Sequence, residues 1–199
     1  MELISAGDAA ASVTTRELER EVALLYHEQA AGLLRYAASL TRSADAARDA
    51  VQEAFLRYFV ERRYGRQIDS QRAWLYRVVR NYVLERLGAT AGSREVDADA
   101  LERLAGVEDD PEARLRRSEA AREIASVLSS RELECLRLRV EGLSYEEIAA
   151  ALGIRTGTVG ALLARVYAKL RSVAACNNSI RFGTAGLELL LSGGGAYSS

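Results

Sequence analysis

A chain of 199 residues has room for one large domain or two small ones. Ala, Leu, Arg and Glu dominate, β-branched residues are sparse and Pro111 is the only proline, so the composition favours helix almost throughout. The net charge of -1 hides a segregation that fits either a polyanionic partner or simply solvated basic faces: 13 arginines stand against 10 acidic residues over residues 16–87, 2 against 8 over 88–112, and 11 basic residues against 7 acidic ones over 113–175.

Residues 1–15 read as a flexible N-terminus that lacks the basic start and long apolar core of a signal peptide. An N-terminal domain follows over 16–87, with three helical patterns. Leu18, Val22, Leu25, Tyr26, Leu33, Ala37 and Leu40 share one face of the first. Val51, Ala54, Phe55, Tyr58 and Phe59 recur at i, i+3, i+4, i+7 and i+8 in the second. Leu75, Val78, Val79, Tyr82 and Val83 repeat that spacing in the third. Three such stripes predict a small bundle around a common core, and most of the nine aromatic residues from Tyr26 to Tyr82 belong in it. The lone histidine, His27, sits inside the first pattern with no Cys or Ser partner at a useful spacing.

The outer faces carry more chemistry than the stripes. Asp45, Asp49, Gln52 and Glu53 lie about one turn apart on the second helix, and alone they read as a solvated acidic face near a helix N-terminus. On the third helix Arg72, Arg77, Arg80 and Asn81 gather beside Trp74, within a segment, 57–86, that holds 8 arginines and 3 acidic residues. Arginines supply charge to phosphates and an aromatic ring stacks on an unpaired base. A structural tryptophan covered by arginine stems fits the same residues.

Residues 88–112 are the compositional break, with three glycines, the proline and no aromatic residue; they read as an acidic flexible linker with one short helix near 98–104. The C-terminal domain, 113–175, gives the firmest local signals. Ser129 with Glu132 and Ser144 with Glu147 are capping-box spacings, so helices are predicted from about 130 and 145. Glu141-Gly142-Leu143 ends the first and Gly153 the second, in the left-handed position that suits glycine. Thr156 is predicted to cap a third helix that runs to about Arg171. Ile148, Ala149, Leu152, Ile154, Val159 and Leu162 have the spacing of a helix-turn-helix core, and 155–171 holds four basic residues and no acidic one. A basic second helix after a tight turn suits the major groove of DNA. The tail, 176–199, is rich in Gly and Ser around Leu187–Leu191 and is expected to be poorly ordered.

Cys135 and Cys176 form no metal-binding or disulfide spacing, which suits a reducing cytoplasm. No stretch reaches the ~20 apolar residues of a membrane span. With no glycine-rich phosphate loop and no metal cluster, no catalytic group, cofactor, metal or small-molecule substrate is expected. The predicted fold class is all-α: two small helical domains joined by an acidic linker, the second a helix-turn-helix.

Residues 128–171, LSSRELECLRLRVEGLSYEEIAAALGIRTGTVGALLARVYAKLR, resemble the promoter -35 reading domain of bacterial sigma factors. LuxR-type regulators end in a similar domain, so that segment alone leaves both families open. DAARDAVQEAFLRYF at 45–59 and RAWLYRVVRNYVLERL at 72–87 resemble the other domain of extracytoplasmic-function sigma factors. A response regulator would show an α/β receiver instead; a helical adaptor would need no basic recognition helix.

The resemblance covers roughly 18–87 and 113–171 and implies a role for each face. Asp45, Asp49, Gln52 and Glu53 would dock on the β′ clamp helices of core RNA polymerase. Arg72, Trp74, Arg77, Arg80 and Asn81 would face the promoter -10 element, where a non-template base leaves the stack. Arg155, Thr156, Thr158, Arg165 and Lys169 would lie in or beside the -35 major groove, with the β flap as a neighbour. The resemblance also implies an anti-sigma factor as a partner, and it allows the acidic linker to mimic nucleic acid in the RNA channel. Two departures stand out. Gly160-Ala161-Leu162 replaces the family's usual basic residue, serine and arginine, and Glu85 stands where an aspartate is usual.

Overall fold

The computed structural model describes residues 15–41, 43–86, 123–124 and 126–176. Every regular element among them is a helix: α1 (Thr15–Leu40), α2 (Ala44–Arg63), α3 (Gln71–Arg86), α4 (Ser130–Val140), α5 (Tyr145–Leu152) and α6 (Thr156–Cys176). The segments assigned to the flexible N-terminus up to residue 14, the linker with its short helix, and the tail from 177 onward lie outside the described residues.

The helices begin where side chains replace missing backbone partners. Ser43 stands in extended conformation and accepts the Ala46 N–H at 3.2 Å, which starts α2. Ser70 accepts the Ala73 N–H at 3.3 Å and starts α3. Neither cap was read from the sequence, because neither has a glutamate three residues on. The two predicted capping boxes are both present in full, at Ser129/Glu132 and Ser144/Glu147. Gly153 adopts φ +66° and Gly142 φ +80°, so both turns of the second module use the left-handed region. One expectation shifts by a residue. The Arg155 carbonyl accepts the first intrahelical bonds, from Thr158 and Val159, so Thr156 opens the helix instead of capping it. That helix also runs to Cys176, beyond the predicted end near Arg171, since nothing between the two breaks the pattern.

The predicted stripes are the core of the first module. Leu18, Leu25, Leu33 and Ala37 of α1, Val51, Ala54, Phe55 and Tyr58 of α2, and Leu75, Val78, Val79 and Val83 of α3 are all buried. Val22, Leu40, Phe59 and Tyr82 of the same stripes are half-buried, and Tyr26 is 48% exposed, its ring leaning on Phe55 with centroids 5.0 Å apart. Tyr36 and Tyr76, absent from the predicted stripes, are fully buried and meet at 5.2 Å. A polar node ties the three helices together. Glu21 accepts hydrogen bonds from Tyr58 Oη (2.5 Å), Gln71 Nε2 (2.9 Å) and Arg62 Nε and Nη2 (3.1 and 3.2 Å). Burial works against the charge on Glu21, but the bonds from Arg62 and Tyr58 outweigh it and hold its pKa below the ordinary carboxylate value.

The second module packs α4, α5 and α6 around Leu138, Leu143, Ile148, Val159 and Leu163. A separate cluster of Ile124, Leu128, Leu133, Leu136, Val166 and Leu170 holds the far end of α6. The axes of α5 and α6 turn by 106° across Gly153, within the range of a helix-turn-helix. The two modules are not separate in space. α3 lies on α5, and one apolar cluster runs from Leu33 and Tyr76 of the first module to Leu138 and Ile148 of the second.

Candidate nucleic-acid interface

Three surfaces gather the predicted residues, and the helical geometry sorts them. On α3, Arg72, Tyr76 and Arg80 are four residues apart and lie on one face, while Trp74, Arg77 and Asn81 follow a second. Arg77 and Asn81 are exposed. Trp74 is half-buried and packs on the core, its ring roughly perpendicular to that of Tyr58 with centroids 5.8 Å apart. The tryptophan is therefore partly core, on the same helix as an exposed arginine.

Arg72 and Arg80 go elsewhere. Arg80 donates to both oxygens of Glu134 on α4, at 2.8 and 3.4 Å. Arg72 donates to the Glu141 carbonyl at 2.5 Å and the Gly142 carbonyl at 3.2 Å. The five residues expected to act together are therefore divided between an open face and the seam with the second module.

On α2, Asp45 pairs with Arg48, Glu53 with Arg57 at 2.7 Å, and Asp49 with Arg86 of α3 at 3.9 Å, while Gln52 is exposed. Such surface pairs contribute little to stability and leave the face available. The face continues past Gln52 into Leu56 (59% exposed), Val60 (41%) and Tyr64 (80%). Sequence reading missed this apolar extension. Its signal was an i, i+4, i+8 apolar series set off from the core stripe of the same helix.

On the helix-turn-helix, Arg155, Thr156, Thr158 and Ala161 are exposed at the start of α6, whereas Val159 and Leu162 are buried beneath them. The N-terminal end of a recognition helix is the part nearest the bases. The departure at 160–162 thus resolves into one glycine, one exposed alanine and one core leucine. Further along, Glu132 of α4 collects the basic groups. It accepts from Lys169 Nζ at 2.7 Å and lies 3.9 Å from Arg165 Nε. The bond from Lys169 and the Ser129 backbone N–H hold its carboxyl at about 2 although the side chain is almost fully buried. Lys169 and Arg165 are so oriented along the side of α6, behind the exposed N-terminal turn. Among the described residues no group of acidic, histidine or cysteine side chains is arranged to hold a metal. No single described helix is long and apolar enough to cross a membrane.

Comparison with known proteins follows the same division. Residues 25–91 match the family model for Sigma-70 region 2, and residues 126–175 match the model for bacterial regulatory proteins of the luxR family. SigL of Mycobacterium tuberculosis, an ECF RNA polymerase sigma factor, is 33% identical over 153 residues, which cover 74% of this chain and 85% of that protein. SigE of Mycolicibacterium smegmatis, also an ECF RNA polymerase sigma factor, is 29% identical over 178 residues, 87% of this chain and 66% of that protein. Among solved structures, CnrH in complex with the cytosolic domain of CnrY has the same fold, with a TM-score of 0.56 at 21% identity over 84% of this chain and 99% of that one.

Proposed function

The chain belongs to the extracytoplasmic-function sigma factors of bacterial RNA polymerase, and from that premise we propose that it brings core polymerase to its promoters and assists their opening. The luxR-type match is confined to the helix-turn-helix. The similarity to SigL and SigE extends over both modules, which favours a sigma factor over a stand-alone regulator or an adaptor that binds no DNA. One observation carries the reading: a three-helix module whose exposed edge offers Trp74, Arg77 and Asn81, followed on the same chain by a helix-turn-helix that exposes Arg155, Thr156 and Thr158.

Each surface then has a task. The α2 face, from Asp45, Asp49, Gln52 and Glu53 on to Leu56 and Val60, docks on the β′ clamp helices. An apolar centre within a charged rim is the usual anatomy of a protein interface. Trp74, Arg77 and Asn81, joined by Arg72 and Arg80, take the non-template strand of the -10 element. The arginines hold phosphates and the indole edge supports an unstacked base. α6 enters the -35 major groove, and its module sits beside the β flap. With a glycine and an alanine in place of two donors, readout there leans on Arg155, on contact with thymine methyls and on DNA shape. The protein supplies no catalytic group; the polymerase makes RNA and this subunit selects the start, in the cytoplasm. An anti-sigma factor is the regulator we infer.

Binding to core polymerase tests the first task. Leu56 is exposed, so Leu56→Asp leaves the fold intact and places a charge in the centre of the docking face. Gel filtration with core enzyme should show wild type co-eluting and Leu56→Asp weakened about ten-fold or more. Equal binding of the two would remove α2 from the interface.

A further inference from the structure

One carboxylate of α4 gathers the basic groups along one side of the recognition helix. Thr158, Leu162, Arg165 and Lys169 recur at i, i+4, i+7 and i+11, so they share that side of α6. Leu162 is buried against the module, while Thr158 and Arg165 are exposed. Glu132 meets this side with only 5% of its side chain exposed. Its Oε2 accepts from the Ser129 N–H at 2.8 Å, from Ser129 Oγ at 3.0 Å and from Lys169 Nζ at 2.7 Å. Its Oε1 stands 3.9 Å from Arg165 Nε, and the same Nε donates to the Ala161 carbonyl at 3.3 Å. The Arg165 side chain is nevertheless 62% exposed.

The two cations are therefore not equivalent. Lys169 neutralises a buried carboxylate, and drawing it onto a phosphate would strand that charge without its partner. Arg165 is held only by its inner edge. A guanidinium anchored at Nε still presents the fork of its two Nη groups, which matches O6 and N7 of a guanine. Gly160, Ala161, Ala164 and Ala168 supply no donor of their own on the exposed face, so the arginine has no neighbour there to share the task. We propose that Glu132 is a positioning residue for promoter reading: it fixes the inner edge of Arg165 so that the outer fork meets a guanine of the -35 element, while Lys169 serves Glu132 and takes no phosphate. This rests on the reading of α6 as the -35 helix. Arg165 follows Thr158 by a rise of about 10 Å along the helix. The guanine therefore lies roughly three base pairs from the pair that Thr158 meets.

The test uses holoenzyme assembled from core polymerase and the full chain. The probe is a duplex library with twelve randomised base pairs upstream of a pre-opened start region, sequenced before and after capture. Binding to one enriched duplex is then followed against salt. Wild type should enrich a guanine at one position, and Arg165→Gln should abolish that preference. Glu132→Gln should weaken the preference about ten-fold. It should also steepen the salt dependence by about one charge, because Lys169 is released to a phosphate. Lys169→Gln should leave the salt dependence as in wild type. Circular dichroism selects variants that keep their helices. If Lys169→Gln loses them, Glu132→Gln/Lys169→Gln takes its place, and it should remove the charge that Glu132→Gln added. A residue that only stabilised the fold would lower affinity without moving the preferred base or the salt dependence. Unchanged base preference in folded Glu132→Gln, or a salt dependence that flattens by one charge in Lys169→Gln, would overturn the proposal. Wild-type holoenzyme that captures all duplexes alike would remove α6 from promoter reading, a separate failure that takes the proposal with it.

Discussion

Glu132 shows how much one side chain can settle. It completes the capping box of α4 and binds Lys169, 37 residues away. Its carboxyl is held at about 2 against an ordinary 4.5. The folded chain therefore binds fewer protons than the unfolded one between those values. The stabilisation is complete above about pH 4.5 and is lost as pH falls toward 2. Glu132→Gln keeps an acceptor for the cap and removes the charge. Acid titration followed by circular dichroism should show wild type losing stability across that window and the variant losing less, so their difference shrinks as pH falls. A difference that stays constant from pH 7 to 3 would contradict the assignment. Cys135 is equally decided by its place. Burial and the nearby Glu134 push its thiol up to about 11, so it stays protonated and behaves as a small apolar filler. The half of this picture that is local was legible: Ser129 and Glu132 are three residues apart and obey a short-range rule. The bond to Lys169 was not, because it depends on how α4 and α6 cross.

At the level of elements, the two glycines near the DNA-reading end behave oppositely. Gly153 is left-handed at φ +66°, so Gly153→Ala should destabilise the chain by about 1 kcal/mol. Gly160 lies in the first turns of α6, and an added Cβ meets only Tyr145 Cε2 at 3.9 Å, an ordinary contact. Gly160→Ala should therefore stabilise by roughly 0.5–1 kcal/mol. Urea unfolding of the two variants checks both signs; destabilisation by Gly160→Ala would mean that α6 uses its glycine for a bend. The sequence reached the six helices of the described residues because their stripes and caps are periodic or short-range. It placed Leu75, Val79 and Val83 in the core for that reason. It could not divide α3 into an open and a closed face. Arg77 and Arg80 look alike in sequence, and what separates them is Glu134, 54 residues downstream of Arg80. The apolar series Leu56, Val60 and Tyr64 was periodic too, but a stronger stripe on the same helix obscured it.

In the whole molecule, two all-helical modules share an apolar seam edged by ion pairs. The acidic and basic blocks of the sequence read as a hint of a polyanionic partner, and three arginines of the first block, Arg35, Arg72 and Arg80, meet the second module at the seam. The same charge pattern did not reveal that acids of the second module occupy part of that face, since net charge carries no information about who meets whom. The direct measurement is run-off transcription with core polymerase on fragments of the source genome. The account predicts new, discrete start sites when the wild-type chain is added, at least ten-fold fewer transcripts from them with Arg77→Ala/Asn81→Ala, and unchanged binding of that variant to core enzyme. Core polymerase that gains no start sites from the folded wild-type chain would contradict it.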